Sequence, residues 1–204
     1  SSIPKNTIIF NTEQIESIHE DFKRRILLLV NRGIELWDYS KYNLDILYKS
    51  SKIKGKLFKI GYQKNLKRIE INKKKDIDVL FYGSLNDRRK SIINNLLKKN
   101  IKVKCLFGVY GKDRDNWIGK SKLVLNLHMY DSKIFEIIRV FYLLTNGIPV
   151  VSEFDNNTKY NNDYLHAIKK SSYSEVEKNV IQLLKNDEER FFLAEMGLKA
   201  IKKY

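Results

Sequence analysis

The sequence holds 204 residues, 43% of them hydrophobic and 31% charged, with only two prolines and nine glycines. Those proportions belong to a globular chain with a core of its own, and they exclude the disordered, collagen-like and linker-rich classes. Lys and Arg number 39 against 24 Asp and Glu, a net charge of +15, which fits either an anionic partner or a plain lysine bias of an A+T-rich genome.

In chain order, Ser1-Ser2-Ile3-Pro4-Lys5 lacks the basic-then-apolar layout of a signal peptide. Short runs of branched apolar residues then alternate with longer amphipathic segments. Strands are predicted at 7–11, 34–37 and 56–60, with helices at 13–30 and 42–50. A lysine-rich stretch without period, 61–75, links these to a second part. There, strands are predicted at 79–82, 103–107, 123–127 and 149–152, and helices at 88–99, 115–120 and 133–145. The stretch 155–162 is polar, and a final helix breaks at Asn186 into 175–184 and 187–202.

Asp78-Val79-Leu80-Phe81-Tyr82 and Lys122-Leu123-Val124-Leu125-Asn126 are apolar throughout rather than alternating. Strands buried on both faces have this character, as in a parallel sheet covered by helices. The expected fold is therefore α/β, a doubly wound, mostly parallel, Rossmann-like sheet. The expected domains are 1–62, too short for a full Rossmann domain, and 75–204, the cleaner Rossmann-like unit. No run of about 18 apolar residues is present, so no spanning helix is expected. The lone Cys105 cannot form an internal disulfide, and a reducing, cytoplasmic compartment fits.

Ligands of open parallel sheets lie beyond the carboxyl ends of the strands. After 79–82 comes Gly83-Ser84-Leu85-Asn86-Asp87-Arg88-Arg89-Lys90. Glycine permits close backbone approach, and Asn86 or Asp87 can cap a helix. Three cations in the first helical turn oppose the macrodipole at about 0.3–1 kcal/mol each. Either they reach into solvent, or Gly83, Ser84, Arg88 and Arg89 cradle a phosphate. Gly108-Val109-Tyr110-Gly111 is either an ordinary connection or the rim of a nucleobase slot. Asp113-Arg114-Asp115 has the spacing of an Asp-x-Asp metal site, but helix capping explains it and no metal is expected.

His128 ends the next strand, as a structural hydrogen-bonder or as a cleft residue. Asp131 or Ser132 would cap the following helix, and the free N–H groups over Ser132, Lys133, Ile134 and Phe135 would offer a second phosphate site. Glu136 and Arg139 are charges three apart on a nearly apolar helix. They either pair with each other or face the cleft and meet a sugar hydroxyl or phosphate. Their place in the first two turns favours the cleft. Asn146-Gly147 stops the helix.

Three pieces carry a resemblance. They are Lys122-Leu123-Val124-Leu125-Asn126-Leu127-His128, Phe135-Glu136-Ile137-Ile138-Arg139, and Leu143-Leu144-Thr145-Asn146-Gly147-Ile148-Pro149-Val150-Val151-Ser152-Glu153. Together they resemble the donor-binding signature of GT-B-fold glycosyltransferases with a glycosyltransferase-group-1-like C-terminal domain, over about 76–204. Residues 8–40, with Asn11-Thr12-Glu13-Gln14 and Trp37-Asp38-Tyr39-Ser40, are similar to the tail end of the N-terminal domain of such enzymes. The resemblance makes 1–62 a remnant of that domain.

What the resemblance implies is a transferase that moves a sugar from a UDP- or GDP-linked donor without metal or other cofactor. The acceptor, whether sugar, lipid or protein, is not specified. The base would lie near Tyr110 and Gly111. The pyrophosphate would lie against Gly83, Ser84, Arg88, Arg89 and His128 and the segment Ser132, Lys133, Ile134 and Phe135, with Glu136 and Arg139 on ribose or phosphate. Many relatives carry a glutamate five positions before the glycine; Tyr142 stands there, so Glu136 would take that role. With most of the first domain absent, Glu13 and Asp38 are the candidate catalytic bases, and a partner subunit or second copy could supply the other wall of the cleft. Two other readings stand beside this one: a non-catalytic nucleotide-sugar-binding subunit, and a basic nucleic-acid-binding protein, which lacks interleaved aromatics or a known motif.

Overall fold

The computed structural model describes residues 3–4, 6–17, 20–160 and 164–204. Ser1, Ser2 and Lys5 of the leader reading, Ile18 and His19 of the predicted 13–30 helix, and Asn161 and Asn162 of the polar stretch lie outside the described residues. Two compact units make up the chain: 1–60 with 130–135 and 158–161, and the remainder.

In the first unit, strands β1 (Ile8–Asn11), β2 (Glu35–Asp38) and β3 (Lys56–Leu57) form a parallel sheet in the order β1-β2-β3. Phe10 stands opposite Trp37, and Trp37 opposite Lys56. Helices α1 (Glu20–Asn31) and α2 (Lys41–Ser51) connect the strands, and Ile15, Ile26, Leu36, Leu47 and Ile53 form the core. The predicted 13–30 helix is in fact a 3-10 turn, Ile15–Ser17, followed by α1. The Asn11 and Asn43 side-chain amides both donate to the Glu13 carbonyl, at 2.9 and 2.8 Å. That removes the acceptor a helix would need.

The second unit holds β4 (Ile77–Tyr82), α3 (Asp87–Lys98), β5 (Val103–Leu106), α4 (Gly111–Gly119), β6 (Ser121–Asn126), α5 (Ile137–Thr145), β7 (Val150–Glu153), β8 (Lys169–Ser171), α6 (Val176–Lys185) and α7 (Asp187–Ile201). All five strands are parallel, in the order β5-β4-β6-β7-β8. Strand β8 was not foreseen from its Lys-Lys-Ser sequence. The α6–α7 break falls at Asn186 as expected, where its side chain accepts from the Glu189 N–H at 2.9 Å.

Successive strand residues point to opposite faces. Val79, Phe81, Leu123, Leu125 and Val151 meet Ile92, Ile93 and Leu96 of α3 and Val176, Val180 and Leu183 of α6. The intervening Leu80, Val124 and Val150 are equally inaccessible, on the face where α4 lies against β6 and α5 against β7. The sheet is thus helix-covered on both sides, which explains its uninterrupted apolar strands. Numbered from β4, the strand order is 2-1-3-4-5, a doubly wound arrangement whose direction reverses between β4 and β6. In open parallel sheets such a reversal is where a ligand crevice forms, at the carboxyl ends of the two strands.

The segment 61–75 belongs to this unit. Beyond a short 3-10 turn at Lys64–Leu66, its hydrogen bonds go to other segments, which is why it shows no period. Asn146 Oδ1 accepts from the N–H groups of Arg68 and Ile69, each at 2.9 Å, and Asn146 Nδ2 donates to the Leu66 carbonyl. The Glu70 carbonyl would lie 2.1 Å from a Cβ on Gly119, so only glycine fits there. No helix of the described residues is long and apolar enough to cross a membrane.

Candidate functional site

Four segments of the second unit converge at the β4/β6 reversal. The first is the turn after β4. Gly83 has φ +128, and a Cβ there would lie 3.0 Å from Arg139 Nη2. A side chain would be strained and would displace the guanidinium. Asn86 caps α3, accepting from the Arg89 N–H at 3.0 Å, and its amide donates to the Met129 carbonyl at 3.0 Å.

Arg88 and Arg89 follow. The Arg88 fork is bidentate on Glu153, with Nη1 to Oε2 at 2.6 Å and Nη2 to Oε1. Glu153 is inaccessible to solvent, and the guanidinium stacks 3.9 Å above the Tyr173 ring, whose hydroxyl donates to the Arg88 carbonyl. The His128 N–H also donates to Glu153 Oε2 at 3.1 Å. Arg89 is 4% exposed; it donates to the carbonyls of Ser84, at 2.9 Å, and Leu127, and lies 3.8 Å from Glu136. Both arginines join the ends of β4, β6 and β7.

Glu136 immediately precedes α5, whose start is Ile137 rather than the predicted 133. The reason lies in 133–135: the Phe135 N–H donates to the Lys159 carbonyl and the Lys159 N–H to the Lys133 carbonyl, each at 2.9 Å, a strand-like pairing that a helix would break. Glu136 accepts from Asn126 Nδ2 at 2.9 Å and lies 3.3 Å from His128 Nδ1. Burial works to raise its pKa, but the hydrogen bond and charge of His128, the charge of Arg139 and the Asn126 amide outweigh it. Its carboxyl is held below the ordinary value and stays ionised.

Asn126 is the hub. Fully buried at the end of β6, it donates to Glu136 and to Ser152 Oγ at 3.0 Å, and accepts from Arg139 Nη1 at 2.9 Å. Arg139 is half-buried over the Tyr82 ring, 4.9 Å from its centroid. It has no carboxylate partner among the described residues. Arg114 of α4 shares the Tyr82 ring at 5.7 Å and stacks at 4.9 Å on Tyr142, against which Arg68 also lies. Asp115 is the carboxylate of this group, 3.0 Å from Arg68 and 3.2 Å from Arg114. The Arg114 Nε is buried with no hydrogen-bond partner among the described residues. Burial pushes the Tyr82 phenol up to about 12 despite both cations. Tyr110, 76% exposed, precedes α4, and Gly111 has φ +57. Among the described residues no three His, Cys, Asp or Glu side chains gather as a metal site.

The structure thus brings Gly83, Ser84, Arg88, Arg89, His128, Glu136 and Arg139 together. It places Ser132, Lys133, Ile134 and Phe135 in the first unit, with Glu13 and Asp38. Ser132 Oγ donates to Gln14 Oε1 at 2.5 Å and lies 3.1 Å from Ser17 Oγ, so it caps no helix. Gln14 Nε2 donates to the Ile134 carbonyl at 3.1 Å. Asp38 is inaccessible and accepts from Asn11 Nδ2 at 2.6 Å, the Ser40 N–H at 2.7 Å and Asn43 Nδ2 at 3.1 Å. Burial outweighs these bonds and pushes its carboxyl up to about 6. The Glu13 side chain is exposed. Sequence reasoning gave no role to Asn126, Glu153, Tyr82, Arg114 or Tyr173. The signal for the first two was a polar residue closing an otherwise apolar strand.

No protein-family model matches this chain. Two uncharacterized proteins of Acanthamoeba polyphaga mimivirus are 31% identical over 194 residues and 30% identical over 158, covering 88% and 74% of the chain. The chain spans 21% of the length of each. Among solved structures, Staphylococcus aureus TarM with fondaparinux, α-GlcNAc-glycerol and UDP superposes with a TM-score of 0.62 at 11% identity, over 98% of this chain and 48% of TarM. WaaG, a glycosyltransferase involved in lipopolysaccharide biosynthesis, gives 0.60 at 12% identity over 84% and 59%, and sucrose-phosphate synthase from Thermosynechococcus elongatus 0.53 at 10% over 92% and 60%. The fold of this chain is that of the GT-B glycosyltransferases, over about half of their length.

Proposed function

We propose that the chain serves glycosyl transfer: the second unit binds a nucleoside diphosphate sugar at the β4/β6 reversal and, without a metal, promotes departure of the diphosphate. The observation that carries this reading is Arg139. Among the described residues its one hydrogen bond is to the neutral Asn126 amide, and the missing Cβ of Gly83 leaves room for the guanidinium itself at the end of β4. A cation held in place at a half-buried position stabilises a developing diphosphate charge at little reorganisation cost. The Ser84–Asn86 turn and the start of α3 add backbone donors. Ionised Glu136 accepts from a ribose or sugar hydroxyl, and Tyr110 at the head of α4 offers a face for the base. The UDP held by TarM supports a uridine nucleotide, though GDP fits the same chemistry.

Of the candidate bases, Glu13 is exposed and Asp38 is enclosed by three donors. Glu13 is therefore the better acceptor base. The enclosure of Asp38 also favours a second reading, nucleotide-sugar binding without turnover. Melting curves with UDP, GDP and their sugars, followed by an assay for released nucleotide, test both. A melting shift with release supports transfer, and a shift without release supports binding alone. No shift with any nucleotide overturns the proposal.

A further inference from the structure

We propose that the amino edge of the five-stranded sheet docks on an anionic lipid surface. Strands β4, β5 and β6 are parallel, so their starts share one edge, opposite the crevice. Six residues of β4 put about 20 Å between the two edges. Lysines scattered in the sequence meet there. Lys73 and Lys74 precede β4, Lys98 and Lys102 precede β5, and all four are exposed. Lys104 and Lys120 lie 4.5 and 5.4 Å from the ring centroid of Trp117. Three further lysines are committed internally: Lys75 to the Gly119 carbonyl at 2.7 Å, Lys99 to Glu177 at 2.8 Å and Lys122 to Asp78 at 2.7 Å. Two acids lie beside the first six: Asp76, 3.9 Å from Lys74, and Asp78, which accepts from the Lys102 N–H at 2.9 Å.

A concentration of one sign at one edge creates a field that attracts a polyanion. Two features select lipid over nucleic acid. Ile71 is 52% exposed and Leu97 48% exposed, each within two residues of a patch lysine. Apolar side chains so placed enter the acyl boundary while ammonium groups meet the headgroups. Single strands need exposed aromatic platforms, and Trp117, the aromatic side chain beside these lysines, is half-buried beneath two of them. The charges are also lysines, point charges without the bidentate fork that grips individual phosphates. Docked by this edge, the protein would leave the crevice facing away from the lipid.

The test is co-sedimentation of the chain with phosphatidylcholine vesicles with and without phosphatidylserine, at about 0.1 M salt. Binding is expected only with phosphatidylserine and should fall as salt rises. Combined Lys73→Glu, Lys74→Glu and Lys102→Glu should weaken it at least tenfold, and Ile71→Ser with Leu97→Ser by a smaller factor, with the melting temperature unchanged. Equal binding to both vesicles, an undiminished charge-reversal variant, or tighter binding to a single-stranded oligonucleotide than to anionic vesicles overturns the proposal.

Discussion

Asp38 in the first unit and Glu136 and Glu153 in the second are all carboxylates withdrawn from water, yet their surroundings differ. Asp38 is held by two amides and a backbone N–H, with no ion-pair partner among the described residues, and its pKa rises to about 6. Glu136 has His128, Arg89 and Arg139 around it, and its pKa falls. Glu153 has the Arg88 fork. Burial works to raise both Asp38 and Glu136; the His128 hydrogen bond and the charges of His128 and Arg139 bring Glu136 back down, which the neutral donors around Asp38 do not. The comparison also separates roles: neutral cages fix a turn, whereas charged ones lie at the end of the sheet where an anion would arrive.

The largest expected effect is at Glu153. Arg88→Ala leaves a buried carboxylate without its fork and should cost about 3–5 kcal/mol, or roughly 10 °C in the melting of this unit. Adding Glu153→Gln should recover much of it. A melting temperature for Arg88→Ala within about 2 °C of the parent would mean that Glu153 is not held as described.

Next is Asp38. Because its folded pKa is raised from 3.8 to about 6, the folded form binds the proton more tightly than the unfolded one. Its contribution to stability therefore grows as pH falls from above 6 to below about 4, by roughly 3 kcal/mol. The stability difference between parent and Asp38→Asn should change by about that amount between pH 7 and pH 4. A difference independent of pH contradicts the cage. Glu136 has the opposite sign: its lowered pKa contributes stability above the ordinary carboxyl pKa that is lost as pH falls through the folded value. Glu136→Gln should be destabilised by about 1.5 kcal/mol at pH 7, with the deficit shrinking in acid; a deficit that grows in acid would reverse the assignment.

The apolar strands Asp78–Tyr82 and Lys122–Asn126 made the parallel sheet legible, because burial on both faces leaves an uninterrupted signal. Asn186 marked the helix break by its capping chemistry. The starts of α1 and α5 were not legible: side-chain amides from Asn11 and Asn43, and the pairing of 133–135 with Lys159, claim backbone groups over distances that a local pattern does not encode. At the site, the glycine and cations that follow β4 were visible in the sequence. Which cation is already occupied was not, because Glu153 is 65 residues from Arg88. The sequence offered Arg88, Arg89 and Arg139 together; under the proposed function, the pairing of Arg88 with Glu153 shifts the weight to Arg139.

That shift is the central claim, and calorimetric titration of UDP into parent and Arg139→Ala tests it most directly. Arg139 makes one hydrogen bond to a neutral amide and is half-buried, so its removal should leave the melting temperature within about 2 °C. Binding should weaken tenfold or more, as for the loss of a charge-assisted contact of about 1.5–3 kcal/mol. An Arg139→Ala protein that melts like the parent and binds UDP with the same affinity would contradict it.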